Sequence, residues 1–286
     1  METPARFAGF WPAAFAFFSE LRDNNDPAWF KPRKAVYEAE VLGPFRELIA
    51  AVGAALREAG LPLVGDPGHC IFRIYRDVRF SPDKRLYKTH AGAVLTRSGR
   101  KRDPGLLYLH VAPGESMVAA GFWHPEPDLL RRLRHAILDD PEAFLAVVDG
   151  LAAAGSPLSS DERLSRPPRG FEAAKGTKVA EYVGWKSFTA HAPLSDPEMQ
   201  SPALVDRIVD FARTALPLLA WGWAVVDGET PTAACCRAGP RAGPAAAEAR
   251  LLTNVPWSPG GTQRGDRRAC DRADRRARGR CCAIPG

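Results

Sequence analysis

Apolar residues recur along the chain at two periods, and the change of period marks out the elements. Phe15, Phe18 and Leu21 have roughly helical spacing, which predicts a first helix over Pro12 to Leu21, ended by "RDNNDP". Asp26-Pro27 has the form of an N-cap followed by Pro in the first helical turn. Pro32 limits that turn and can open the next helix. From Pro44 the pattern is clearer. Phe45, Leu48, Ile49, Val52 and Leu56 fall at i, i+3, i+4, i+7 and i+11, an amphipathic helix that ends at Gly60.

The period then drops to two. In "CIFRIYRDVRF", Phe72, Ile74, Val78 and Phe80 share one face with Arg76 among them. Arg73, Tyr75, Asp77 and Arg79 share the other. This predicts a strand. "HAGAVLT" predicts a second, and "GLLYLHVAPGESMVAAGFWHP" a hairpin around Pro113-Gly114. Helical spacing returns after Pro125 with Leu129, Leu130, Leu133 and Ile137, and again from Pro141 to Leu151. A short helix near Val179 and a strand near Ser187–His191 interrupt a loop-rich stretch. Ser201-Pro202 caps a last helix carrying Leu204, Val205, Ile208, Val209 and Phe211.

Helices, then strands, then helices argue for an α+β fold: an antiparallel sheet with helices packed against it, in a single domain over 7–226. Beyond that the composition changes. Residues 227–286 contain no Phe, Tyr or Lys, and Ala, Gly, Pro and Arg dominate. Such a segment buries too little apolar surface to offset its chain entropy, so a disordered, low-complexity tail is expected. One reading is a basic tail that binds nucleic acid. A blander one is a GC-rich gene read in a shifted frame or past its stop, with native coding ending near Trp221–Val226.

Charge is distributed as unevenly as composition. The formal net charge is +6, yet Arg73 to Arg102 alone holds ten Lys/Arg against two Asp. The tail adds eleven Arg against six acids, so the rest of the chain is acidic. No run looks long and apolar enough to span a bilayer, and "FAGFWPAAFAFFSEL" is interrupted by Pro12 and lacks a small-residue cleavage site. A cytoplasmic protein with no membrane partner is expected. Only Cys70 lies in the body, and the tail cysteines lack C-x-x-C spacing, which argues against zinc or a disulfide framework.

The candidate chemistry concentrates in "FRIYRDVRFSPDKRLYKTHAG", with four arginines and two lysines among aromatics and two aspartates. Arg76 falls on the apolar face, where a guanidinium stays charged and needs a carboxylate, carbonyls or a ligand. Arg73, Tyr75 and Arg79 on the other face suit a planar anion, with Asp77 between them; the alternative is a solvated strand face that Asp77 neutralises. Ser81-Pro82-Asp83 makes a turn, and Lys84, Tyr87 and Lys88 follow in a loop. Arg97, Arg100, Lys101 and Arg102 read as an exposed hairpin tip. Trp123, in "GFWHP", is a stacking platform or a cap on the hairpin end. Trp29 and Phe30 read as core anchors.

No phosphate-binding glycine loop, G-x-S-x-G or H-E-x-x-H accompanies the patch, and the histidines show no metal-ligand spacing. Catalytic residues, metals and cofactors are therefore not assigned. His110 and His124 are proton-transfer candidates if the hairpin borders the patch, though an isolated histidine is more often structural.

"FAGF", "NNDPAWF", "FRIYRDVRFSPDKRLYKTHAG", "YLHVAPGESMVAAGFWHP" and "RPPRGF" occur in the order seen in the DUF2461 family, which the chain resembles from about Phe7 to Val226. The resemblance implies a conserved domain of unknown function and transfers no catalytic residue. Two departures stand out: Arg85-Leu86 replaces the usual Pro between DK and YK, and Asp26-Pro27 stands where a more polar pair is common. Members resembling this chain end soon after the last helix, which supports a spurious tail.

These readings lead to one principal expectation. Arg73, Arg76, Arg79, Lys84 and Lys88 hold a phosphorylated small molecule or nucleotide by charge-assisted hydrogen bonds. Tyr75 and Tyr87 orient it, and Asp77 and Asp83 fix the arginines or act as base. The alternatives are a nucleic-acid-binding module, with phosphate contacts plus stacking, and a noncatalytic protein-interaction module that meets an acidic partner.

Overall fold

The computed structural model describes residues 7–79, 81–159 and 162–231. α1 (Pro12–Asp23) begins with Pro in its first turn and buries Phe15, Phe17, Phe18 and Leu21. α2 (Pro27–Phe30) is capped by Asp26, whose carboxylate accepts the Ala28 and Trp29 N–H groups at 2.8 and 3.0 Å. A 3-10 turn (Lys31–Arg33), α3 (Lys34–Val36) and a wide π-type turn (Tyr37–Leu42) lead into α4 (Gly43–Glu58). α4 buries the expected stripe of Phe45, Leu48, Ile49, Val52 and Leu56. α5 (Pro67–Cys70) is one short turn before the sheet.

Five strands follow: β1 (Ala91–Thr96), β2 (Leu106–Val111), β3 (Met117–Phe122), β4 (Leu158–Ser159) and β5 (Phe188–Pro193). Their order is β1-β2-β3-β5-β4, antiparallel throughout. α6 (Pro127–Asp139) and α7 (Pro141–Ala153) come between β3 and β4. α8 (Ala180–Val183), α9 (Asp196–Met199) and α10 (Leu204–Asp227) complete the fold. The α+β reading with an antiparallel sheet holds.

Alternation divides the sheet into two unlike faces. Ala91, Ala93, Leu95, Leu107, Leu109, Val111, Val118, Ala120, Phe122, Phe188, Ala190 and Ala192 join the main core. The helices pack here, α10 against β3, α4, α6 and α7. The other face carries a separate cluster of Val94, Tyr108, Met117 and Ala119, flanked by Phe72, Leu106 and Trp123.

α10 is longer than its sequence pattern predicted. It starts at Leu204, with the Ala203 N–H bonded to Ser201 Oγ, and runs 24 residues through Pro217 to Asp227. Gly222 lets it approach the sheet: a Cβ there would stand 2.1 Å from the Phe122 ring. Arg132 of α6 reaches the end of α10, donating to the Val225 carbonyl at 2.7 Å. Asp227 takes a two-bond ion pair from Arg97 at 2.6 and 2.7 Å, and Arg97 also lies over the Trp223 ring. So Arg97 is not an idle tip residue, and the fold includes Asp227, the first residue assigned to the tail. The rest of that tail, beyond residue 231, lies outside the described residues.

The expectation about bilayer-spanning runs needs correcting. By length and composition alone, Leu204–Asp227 is apolar enough to cross a membrane, with a window mean hydropathy of 1.2. Of that window, 67% is buried inside the fold, where it forms core.

Burial elsewhere is not always matched by pairing. Arg134 of α6 is 8% exposed, and its Nη2 donates to the Trp185 carbonyl at 2.9 Å. Its Nε and the Trp185 Nε1 have no acceptor, and no described carboxylate pairs with it.

Candidate functional site

The charged stretch is not the strand its alternation predicted. Residues 71–79 and 81–90 form an irregular two-legged arm, with isolated bridges at Ile71–Ala93 and Tyr75–Tyr87. Phe72 N–H donates to the Gly92 carbonyl, Lys88 N–H to Ile74 and Arg76 N–H to Leu86, at 2.8–2.9 Å. Ladder-like backbone bonds therefore occur at alternate residues only, without a continuous strand. The predicted alternation of burial survives. Ile74 is buried and Phe72, Arg76 and Val78 are half-buried, while Arg73, Tyr75, Asp77 and Arg79 are exposed. Phe80 lies outside the described residues.

Aromatic packing fixes the base of the arm. Tyr87 is 4% exposed and stacks on Phe30 with ring centroids 4.2 Å apart. Tyr75 is 47% exposed and lies 5.4 Å from Tyr87 and 6.2 Å from Phe30. Tyr87 thus positions the arm, and Tyr75 is the tyrosine that faces outward.

Much of the arm's charge is balanced inside it. Arg76 Nη1 donates to Asp83 Oδ2 at 2.5 Å, which answers whether Arg76 has an internal partner. Arg85 donates to the same carboxylate from Nε at 3.1 Å and from Nη2 at 2.8 Å. Asp83 is thus shared by two guanidiniums. The Arg85 side-chain and backbone bonds, with help from Arg76, hold the Asp83 carboxyl well below the usual range. Asp77 accepts from Arg79 Nε and Nη2 at 3.0 and 2.7 Å, and these bonds lower it to about 2. Both aspartates fix arginines and stay ionised, so neither suits the role of base. Lys84 donates to the Val78 carbonyl at 3.2 Å, closing the tip.

The unbalanced charge gathers around Phe72. Lys88 Nζ lies 5.1 Å and Lys101 Nζ 5.4 Å from the centre of its ring, within cation–π range. Lys101 Nζ also donates to the Ile71 carbonyl at 2.6 Å. Lys88 is half-buried, and its pKa is lowered first by desolvation, then by Arg73, Lys101 and Arg76. Every charged group that bears on it is a cation. Among the described residues, Arg73, Lys88 and Lys101 form no ion pair with a carboxylate. Periodicity placed Lys101 on a solvated tip, and only the folding of the β1–β2 hairpin against the arm brings it here.

Behind these cations stand two histidines. His90 and His110 stack with ring centroids 4.3 Å apart, and Tyr108 Oη lies 3.1 Å from His110 Nδ1. Burial first, then His110, Lys88 and Arg76, lowers His90 to about 2. Burial lowers His110 to about 4. His110 was a candidate if the hairpin bordered the patch, and it does. His90 was not singled out, since only the arm's return path stacks it on His110. Gly92 pairs with His110 across β1 and β2, and a Cβ on Gly92 would stand 3.0 Å from Tyr108 Oη.

Other candidates lie elsewhere. His124 pairs with Glu162 at 3.0 Å, and its N–H donates to Ser187 Oγ. Trp123 packs edge-on to His124 and joins the second apolar cluster, past the end of β3 away from His110. A cleft of about 430 Å³ adjoins the cations, lined by Val64, Asp66, His69, Ser98, Gly99, Arg100 and Lys101. Lys101 belongs to both. No group of three or more potential metal ligands occurs among the described residues.

A family model described as a conserved hypothetical protein (DUF2461) matches residues 13–221. No curated protein and no solved structure matches the chain.

Proposed function

The chain belongs to the DUF2461 family, which carries no assigned activity, and we propose that this member binds a phosphate-bearing small molecule at Arg73, Lys88 and Lys101. One observation carries the reading: Lys88 is half-buried among cations alone. Placing like charges together around a partly desolvated ammonium is unfavourable until an anion arrives. Arg76 contributes a weaker field, because Asp83 already shares it. The cleft that Lys101 also lines has room for the rest of a metabolite or nucleotide.

The candidate residues thereby divide. Arg73 and Lys88 remain as ligand groups and Lys101 joins them. Asp77, Asp83 and Tyr87 become supports, and Arg79 and Lys84 shape the tip. Nucleic-acid binding is the second reading. The exposed Tyr75 ring beside Arg73 favours it, since stacking plus phosphate contact suits a single strand.

Thermal shift with a panel of nucleotides and phosphorylated metabolites tests the proposal. A ligand should raise the melting temperature of the native chain and leave the Lys88→Met variant unmoved. Lys88→Met itself should melt no lower than the native chain, because it removes a charge that folding disfavours. An equal ligand shift in both proteins would overturn the assignment. Preference for oligonucleotides, with steep salt dependence, would select the second reading.

A further inference from the structure

His90 and His110 have a geometry that anion binding alone does not require. Two imidazoles stack at 4.3 Å, one against the ammonium-bearing arm and one in the floor of the sheet, with the Tyr108 hydroxyl at the inner end. We propose that this stacked pair is a proton-accepting element, and that filling the adjacent cation cluster with a dianion draws one proton onto it. The inference rests on the anion site proposed above and adds how that site responds to pH and what it does to protons.

The groups that face the pair set the balance. From the arm come Lys88 and Arg76, with Arg73 and Lys101 acting through Lys88. Asp83 tempers Arg76, and Asp77 lies nearer Arg73. β2 supplies Tyr108, and the residue opposite His110 on β3 is the uncharged Met117. On β5, His191 stands in the Tyr108 row, two strands away and exposed. No carboxylate touches either imidazole among the described residues. Without an anion the charges acting on the pair are cationic, so both rings stay neutral, with Tyr108 Oη engaging His110 Nδ1. A bound dianion cancels the repulsion from Lys88 and adds attraction. Because the rings lie face to face, a second proton would meet the first at contact distance, so uptake stops at one. Protonated, the pair becomes a hydrogen-bond donor to the ligand, or an acid for a leaving oxygen on it.

Sulfate is a suitable probe, since it remains a dianion across the working range and any proton taken up belongs to the protein. Its binding to the full chain is measured by titration calorimetry in two buffers of different ionisation enthalpy. The expected result is uptake of about one proton per sulfate near pH 6, falling towards none near pH 8. The double variant His90→Gln, His110→Gln should remove that uptake while saturable binding persists. Histidine ring resonances of the native chain give a second readout: two rings that do not titrate above pH 5 without sulfate should titrate with it. Sulfate binding with no proton uptake overturns this inference and leaves the anion site standing. No saturable sulfate binding to the native chain overturns both.

Discussion

Asn25 holds both backbone groups of Tyr87: its amide oxygen accepts the Tyr87 N–H at 2.9 Å, and its amide nitrogen donates to the Tyr87 carbonyl at 3.0 Å. The residues are 62 apart in sequence. Within the arm the Tyr75–Tyr87 bridge is of the kind whose backbone groups point outward, because the bonds fall at Arg76–Leu86 and Lys88–Ile74. Asn25 captures the groups left over, one residue before Lys88. Two bonds at about 1 kcal/mol each place the cost of Asn25→Ala near 2 kcal/mol in urea denaturation. A change under about 0.5 kcal/mol would mean that water replaces the amide without loss.

The half-buried histidines His90 and His110 predict acid sensitivity before the carboxylates do. Their folded values lie below the unfolded value of 6.5. Below about pH 6.5 the unfolded chain therefore takes up protons that the folded one refuses, so stability falls with pH in that window. His110 alone accounts for up to about 3 kcal/mol by pH 4. Asp77 and Asp83 have lowered values, so their contribution persists until pH drops below about 4. Denaturation at intervals from pH 8 to 4.5 should show the decline, and His110→Gln should flatten it. An unchanged slope in the variant would assign the decline to other groups.

Arg134 is a buried cation with a single carbonyl for company. Removing it takes away a desolvation cost that no described carboxylate compensates. Arg134→Met keeps most of the side-chain volume and should raise the melting temperature by a few degrees. A fall of similar size would show that the guanidinium does more for the α6–α8 junction than its one bond conveys.

Gly222 lies where α10 packs directly on Phe122 of β3. Gly222→Ala drives a methyl group into the Phe122 ring, so the gain in helix propensity is outweighed by overpacking of about 1–3 kcal/mol. Gly150 of α7 is the control, since nothing lies within 4 Å of a Cβ there. Gly150→Ala should stabilise by up to about 1 kcal/mol. Equal effects at the two positions would contradict the packing described.

The helices and the hairpin were legible because each follows a local rule: a cap, a proline or a run of apolar positions. The charged arm was half legible. Its alternation of burial is present, but periodicity reports which side a residue faces and not whether backbone bonds continue along the strand. Arg76 was recognised as needing a partner. Asp83, seven residues on, becomes that partner only after the turn at Ser81-Pro82 brings it back. Lys101, His90 and Asn25 were not legible as site residues, since each owes its place to a contact between segments far apart in sequence. β4 was missed for another reason: two residues are too few to show a period.

The two faces of the sheet assign different duties to neighbouring residues on one strand. Leu107 and Leu109 look into the helices, while Tyr108 and His110 look towards the arm. Substitutions at Leu107 and Leu109 therefore disturb the main core, whereas those at Tyr108, itself fully buried, and at half-buried His110 disturb the smaller cluster and the histidine pair beside the arm.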